Sequence, residues 1–203
     1  MSRFARTLVL AAAALAGTAS ADTLTFNGTA DDFLKIFIST DLSSPGPVAF
    51  DKTSGWSSVG TTTLNLQPGQ SVYLLIDANN AFGGPAMLLA DLSLSGETLR
   101  FANGLTTLTT DTTHWQVSEV GFSSPLSTPV SMGQNLPGLQ IWGAFSPVSS
   151  DATAIWAYNA DWSTGRVGHA YFVTQISAVP EPATALLWHG GAAVLTALRR
   201  RSR

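Results

Sequence analysis

Residues 22–178 alternate short apolar runs with clusters of turn residues. In this region no window of 12 residues carries a 3.6-residue apolar stripe. Strands are predicted over 23–26, 33–39, 62–66, 71–77, 86–93, 114–117, 139–145, 153–158 and 169–177. Ser43-Ser44-Pro45-Gly46, Pro68-Gly69, Phe82-Gly83-Gly84-Pro85, Ser95-Gly96 and Pro137-Gly138 separate them as turns. The clearest local pattern is Leu64-Asn65-Leu66, then Pro68-Gly69, then Val72 to Ile76, which reads as an antiparallel pair joined through a Pro-Gly turn. Short strands with Gly and Pro between them predict an all-β domain, an antiparallel sandwich or jelly roll.

The two ends follow another rule. Met1 to Ala21 has Arg3 and Arg6, a short apolar run from Thr7 to Ala16, and the small side chains Ala19 and Ala21 at the positions a signal peptidase reads. This predicts a signal-peptide helix over 1–21, removed before Asp22. At the far end Pro180-Glu181-Pro182 precedes 16 residues without charge (183–198) and then Arg199, Arg200, Arg201 and Arg203. As a helix that run is about 24 Å long, just short of a usual membrane span. Snorkelling arginines close the gap and hold the terminus in the cytoplasm. Each proline keeps the residue before it extended, so Glu181 is expected to be accessible beside a single transmembrane helix. His189 is an unusual polar guest in that run.

Composition adds less. Cysteine is absent, which excludes disulfides, thiolate metal sites and cysteine nucleophiles. Only 11% of the residues are charged, against a globular norm of about 25%. Between residues 22 and 178 four basic side chains face twelve acidic ones, a net charge of −8. Such a domain should avoid nucleic acid and anionic lipid.

The C-terminal segment, residues 179–203, closely resembles the PEP-CTERM sorting signal of Gram-negative bacteria, through the Pro180-Glu181-Pro182 triplet, the apolar run and the arginine cluster in that order. The resemblance implies processing near the triplet by an exosortase. It also implies an inner-membrane intermediate, then association with the cell surface or an exopolysaccharide matrix. More loosely, the stretch from Asp31-Asp32-Phe33 through Pro68-Gly69-Gln70 to Gly83-Gly84-Pro85 resembles the galactose-binding-like β-sandwiches. No ligand residues are carried over from that likeness.

Candidate chemistry in the exported part is sparse. His114 and His169 have neither a G-x-S-x-G elbow nor a zinc spacing around them. Asp31, Asp32, Asp77 and Asn79 stand at strand ends with oxygen side chains that would suit calcium, or that simply cap turns; no other cofactor is expected. Trp142 and Trp156 lie in strand-like runs and read as core. Trp56 and Trp162 lie in polar, loop-like surroundings and are the candidate platforms for carbohydrate. The expectation is a non-enzymatic surface or matrix protein with weak carbohydrate affinity. An exported polysaccharide hydrolase and a scaffold with no ligand site are the rival readings. A cleft with paired acids would favour the hydrolase, and an exposed Trp beside Asp and Asn would favour sugar binding.

Overall fold

The computed structural model describes residues 21–180. The expected signal-peptide helix and transmembrane helix fall on residues outside these. Among the described residues there is no helix; twelve strands form two antiparallel sheets packed as a sandwich. Sheet A is ordered β10-β11-β6-β1-β4, with β8 also on β6. Its strands are β1 (Asp22–Ala30), β4 (Gly60–Leu66), β6 (Leu88–Ser95), β8 (Thr107–Thr109), β10 (Val130–Gln134) and β11 (Thr153–Trp156). Sheet B is ordered β3-β2-β5-β12-β7, with β9 also on β12. It contains β2 (Phe33–Ser39), β3 (Phe50–Lys52), β5 (Val72–Asn80), β7 (Leu99–Phe101), β9 (Gln116–Ser118) and β12 (Gly168–Ala178).

Period-two patterning decides the faces. On β5, Val72, Leu74, Ile76 and Ala78 point inward, and Tyr73, Asp77 and Asn79 are half-buried on the outer face. Trp115, Trp156, Phe26, Phe101 and Phe172 are fully buried between the sheets. Each contributes roughly 1.5–3 kcal/mol through burial. A smaller cluster of Leu75, Phe122 and Val173 covers part of the outer face of sheet B.

Two sequence expectations are corrected. The 64–76 segment is not a hairpin: β4 pairs with β1 in sheet A, and β5 pairs with β2 and β12 in sheet B. The Pro68-Gly69 turn carries the chain from one sheet to the other and is pinned by Gly69 N–H donating to the Thr98 hydroxyl at 2.8 Å. Residues 139–145 are not a strand either. Trp142 and Gly143 N–H both donate to the Leu139 carbonyl, at 3.0 and 2.9 Å. The resulting tight turns bury Leu139, Trp142 and Phe145, at a spacing of three, and leave Ile141 exposed.

The two ends of the sandwich differ. Thr98 gathers the first and last strands of the sandwich: its hydroxyl donates to the Asp22 carboxylate, and its carbonyl accepts Val179 N–H at 2.8 Å. At the other end of the 11-residue strand β12, Gly168 pairs with Asn80. That length puts roughly 35 Å between the Asp22 and Val179 end of the sandwich and the loops beyond Asn80.

Candidate functional site

The loops beyond Asn80 are 81–87 and 157–167. Asn80 is fully buried; its amide donates to the Gly84 carbonyl at 3.2 Å and its side-chain oxygen accepts Gly83 N–H at 2.9 Å. Asp32 Oδ2 accepts Ala81 N–H at 2.9 Å. The second loop is organised by Asp161, whose Oδ1 accepts the Ser163 and Thr164 amides at 2.7 and 2.9 Å and both of their hydroxyls. The Ser163 hydroxyl, followed by these amides and the Thr164 hydroxyl, holds the Asp161 carboxyl down to about 2. Gly84 N–H joins the loops by donating to the Gly165 carbonyl at 3.2 Å. A Cβ on Gly165 would fall 1.6 Å from the Gly84 carbonyl oxygen, so only glycine permits this approach.

Trp162 stands on this double loop. It is 74% exposed, and its ring edge lies 3.1 Å from where a Cβ on Gly84 would project. Phe82 and Val167 are also exposed in these two loops, and Val167 follows Arg166 in the chain. The Arg166 guanidinium lies 4.2 Å above the Tyr158 ring and bonds Glu119. The two loops therefore expose Phe82, Trp162 and Val167 and also carry Asn159, Asp161 and Arg166.

The other candidates are placed differently. Trp56 is half-buried, packs edge-on to Phe145 at 6.5 Å, and its carbonyl accepts the Thr29 hydroxyl at 2.8 Å. It belongs to the wall of the core. The four oxygen residues suggested for calcium divide between two places. Asp31 and Asp32 are buried at the β1–β2 corner, where Asp31 accepts the Trp142 indole N–H at 2.9 Å. Burial first, then the hydrogen bond with Asp32, pushes the Asp31 carboxyl up to about 7. Lys52 is buried nearby, donates to the Gly55 carbonyl, and is pushed down to about 8 by desolvation. Asp77 and Asn79 lie on the outer face of sheet B, where Asp77 Oδ1 is 2.6 Å from His169 Nδ1. Among the described residues no group of three or more His, Asp or Glu side chains could hold a metal ion.

A cleft of about 410 Å³ holds Asp91, Asp111 and Asp151. Asp91 is occupied by the Asn27 amide and Ser149 N–H, at 2.9 and 2.7 Å. Asp111 is occupied by the Thr113 and His114 amides and the His114 ring. Two of the three carboxylates thus hold loops in place, and Asp151 remains exposed on the surface.

Ala21 is exposed at the start of the described chain, and Pro180 is exposed at its end, one residue after the last backbone bond at Val179. Ala19, Glu181, Pro182 and the four terminal arginines lie outside the described residues. Sequence reasoning missed Phe82, which it placed in a turn, and Val167, which it assigned to no element; the pairing of Gly168 with Asn80 and the Gly84–Gly165 hydrogen bond bring their loops together. Comparison of the chain with models of known protein families, with curated proteins and with solved structures returned no match.

Proposed function

We propose that this chain is an exported, non-enzymatic protein of the cell surface or extracellular matrix, whose sandwich binds carbohydrate at the Trp162 tip. The observation that carries the reading is Trp162 itself: 74% exposed and braced over Gly84. An exposed indole offers a flat apolar face to the C–H face of a pyranose, and neighbouring amides and carboxylates suit its hydroxyls. The cost of holding the ring in water is met by loops that are already rigid, which spares ordering entropy on binding. Polarity along the domain supports the same reading. Asp22 and Val179 meet at Thr98, so a tail of the PEP-CTERM kind would leave the sandwich at the end opposite the Trp162 loops. The hydrolase reading has less support, because Asp91 and Asp111 in the acidic cleft are committed to backbone amides rather than facing each other across a substrate.

Native gels cast with neutral β-glucan test the binding. The exported protein should be retarded by the polysaccharide, and Trp162→Ala should run as in a gel without it. Equal retardation of the two proteins overturns the reading, and no retardation of either favours a scaffold without a ligand site.

A further inference from the structure

The outer face of sheet B carries an open slot at the strand ends that lead into the tip loops, lined by charged and amide groups over a mainly apolar floor. Strand register builds it. Asp51 pairs with Lys35, and Lys35 with Asp77; one step along, Phe33 pairs with Asn79, and Asn79 with His169. Residues paired across neighbouring strands share a face, so two transverse rows stand side by side. Lys35 Nζ lies 4.0 Å from Asp51, and His169 Nδ1 lies 2.6 Å from Asp77. His169 also stacks on Tyr171 at 5.9 Å, with the rings 14° apart. With Thr53 and Phe33 these residues line an open slot of about 240 Å³.

We infer that this slot is a hydroxyl-gripping subsite for a neutral saccharide chain that continues onto the Trp162 platform; the inference rests on the carbohydrate reading of that tip. The lining has the right functional groups. Asp51 and Asp77 accept from hydroxyls, Lys35 and the Asn79 amide donate to them, and Phe33 supplies an apolar wall. The volume is below the roughly 300–1,000 Å³ of pockets for drug-sized ligands, so it takes one sugar ring rather than a larger group. Charge decides the class of sugar. Lys35 is balanced by Asp51, and Asp77 adds a second carboxylate, on a domain of net charge −8. Uronates and phosphates are therefore disfavoured. Position supplies the continuity: His169 follows Val167 by two residues, roughly 7 Å along the chain, and Asn79 precedes Phe82 by three.

Amide and indole NMR spectra of the ¹⁵N-labelled exported protein, titrated with cellohexaose, laminarihexaose and tri-galacturonic acid, test this. At least one neutral hexasaccharide should shift the Lys35, Asn79 and His169 amides together with the Trp162 indole. Asn79→Ala, a half-exposed side chain whose loss leaves the fold intact, should weaken that binding about tenfold with an otherwise unchanged spectrum. Shifts confined to the Trp162 indole overturn the slot and leave the tip reading standing. Shifts confined to the slot overturn the tip and keep the slot. No shift with either neutral sugar overturns both. Equal shifts at the slot with tri-galacturonic acid overturn the assignment to neutral saccharides.

Discussion

The indole N–H of Trp142 donates to the carboxylate of Asp31 at 2.9 Å, across 111 residues of chain, and both residues are buried. This bond ties the 136–145 loop to the β1–β2 corner. Trp142→Phe keeps most of the apolar volume and leaves a buried carboxylate oxygen without its donor. The expected loss is about 1–3 kcal/mol, measured by urea unfolding. An unchanged midpoint would show that the bond contributes nothing net.

The same corner sets a pH dependence. The Asp31 carboxyl, raised to about 7, keeps a proton in the folded state that the unfolded chain releases near pH 4. Its contribution to stability is full below pH 4 and is lost as pH rises to about 7. The Lys52 amine, lowered to about 8, is neutral in the folded state while the unfolded chain still holds its proton up to about 10.5. Stability therefore recovers between about pH 8 and 10.5. Asp41 and Asp161, held low by Ser43 and by Ser163 and Thr164, act only below pH 4. Thermal melts from pH 4.5 to 10 should pass through a minimum near pH 7–8. Asp31→Asn should remove the fall on the acid side, and Lys52→Met the recovery on the alkaline side. A wild-type profile that rises steadily from pH 4.5 to 8 would contradict the assignment.

Gly165→Ala separates the platform from the fold. The added methyl has no room against the Gly84 carbonyl, so the two loops must part and Trp162 loses its brace. Retention in β-glucan gels should drop as far as in Trp162→Ala, while the far-UV circular dichroism stays that of a β protein. Undiminished retention would mean that the joined loops are not needed for binding.

Export makes its own prediction at the N-terminus. Strand β1 begins at Asp22, whose side chain is buried and has one carboxylate oxygen without a partner. Cleavage after Ala21 would place an α-ammonium on that same residue, beside the unpaired oxygen. Mass spectrometry of exported material should find Asp22 as the first residue. Exported protein that retains Met1 would refute the signal-peptide assignment.

Sorting is tested at Glu181. The chain leaves the sandwich after Val179 with Pro180 exposed, so the triplet follows directly on the last anchored residue. Exported protein should lack residues 183–203. Glu181→Ala should accumulate at full length in the inner membrane, followed on blots of fractionated cells with a tag in an exposed loop of the sandwich. Processing of that variant at the wild-type rate would remove the basis for the PEP-CTERM resemblance.

The sequence by itself determined the all-β class and the loop setting of Trp162. These follow from a local quantity, the alternation of short apolar runs with turn residues, which each segment carries whatever its partners are. It did not determine which strands pair, because that alternation marks a strand and not its neighbour; hence β4 and β5 read as a hairpin though they lie in opposite sheets. Leu139, Trp142 and Phe145 misled in the same way, since a short apolar run fits a strand or a set of tight turns equally well. Only the tertiary structure could separate Trp56 from Trp162, or Asp31 and Asp32 from Asp77 and Asn79. Exposure and company are set by long-range packing: Phe145 closes over Trp56, and the register of β2, β5 and β12 carries Asp77 to His169 and away from the buried pair.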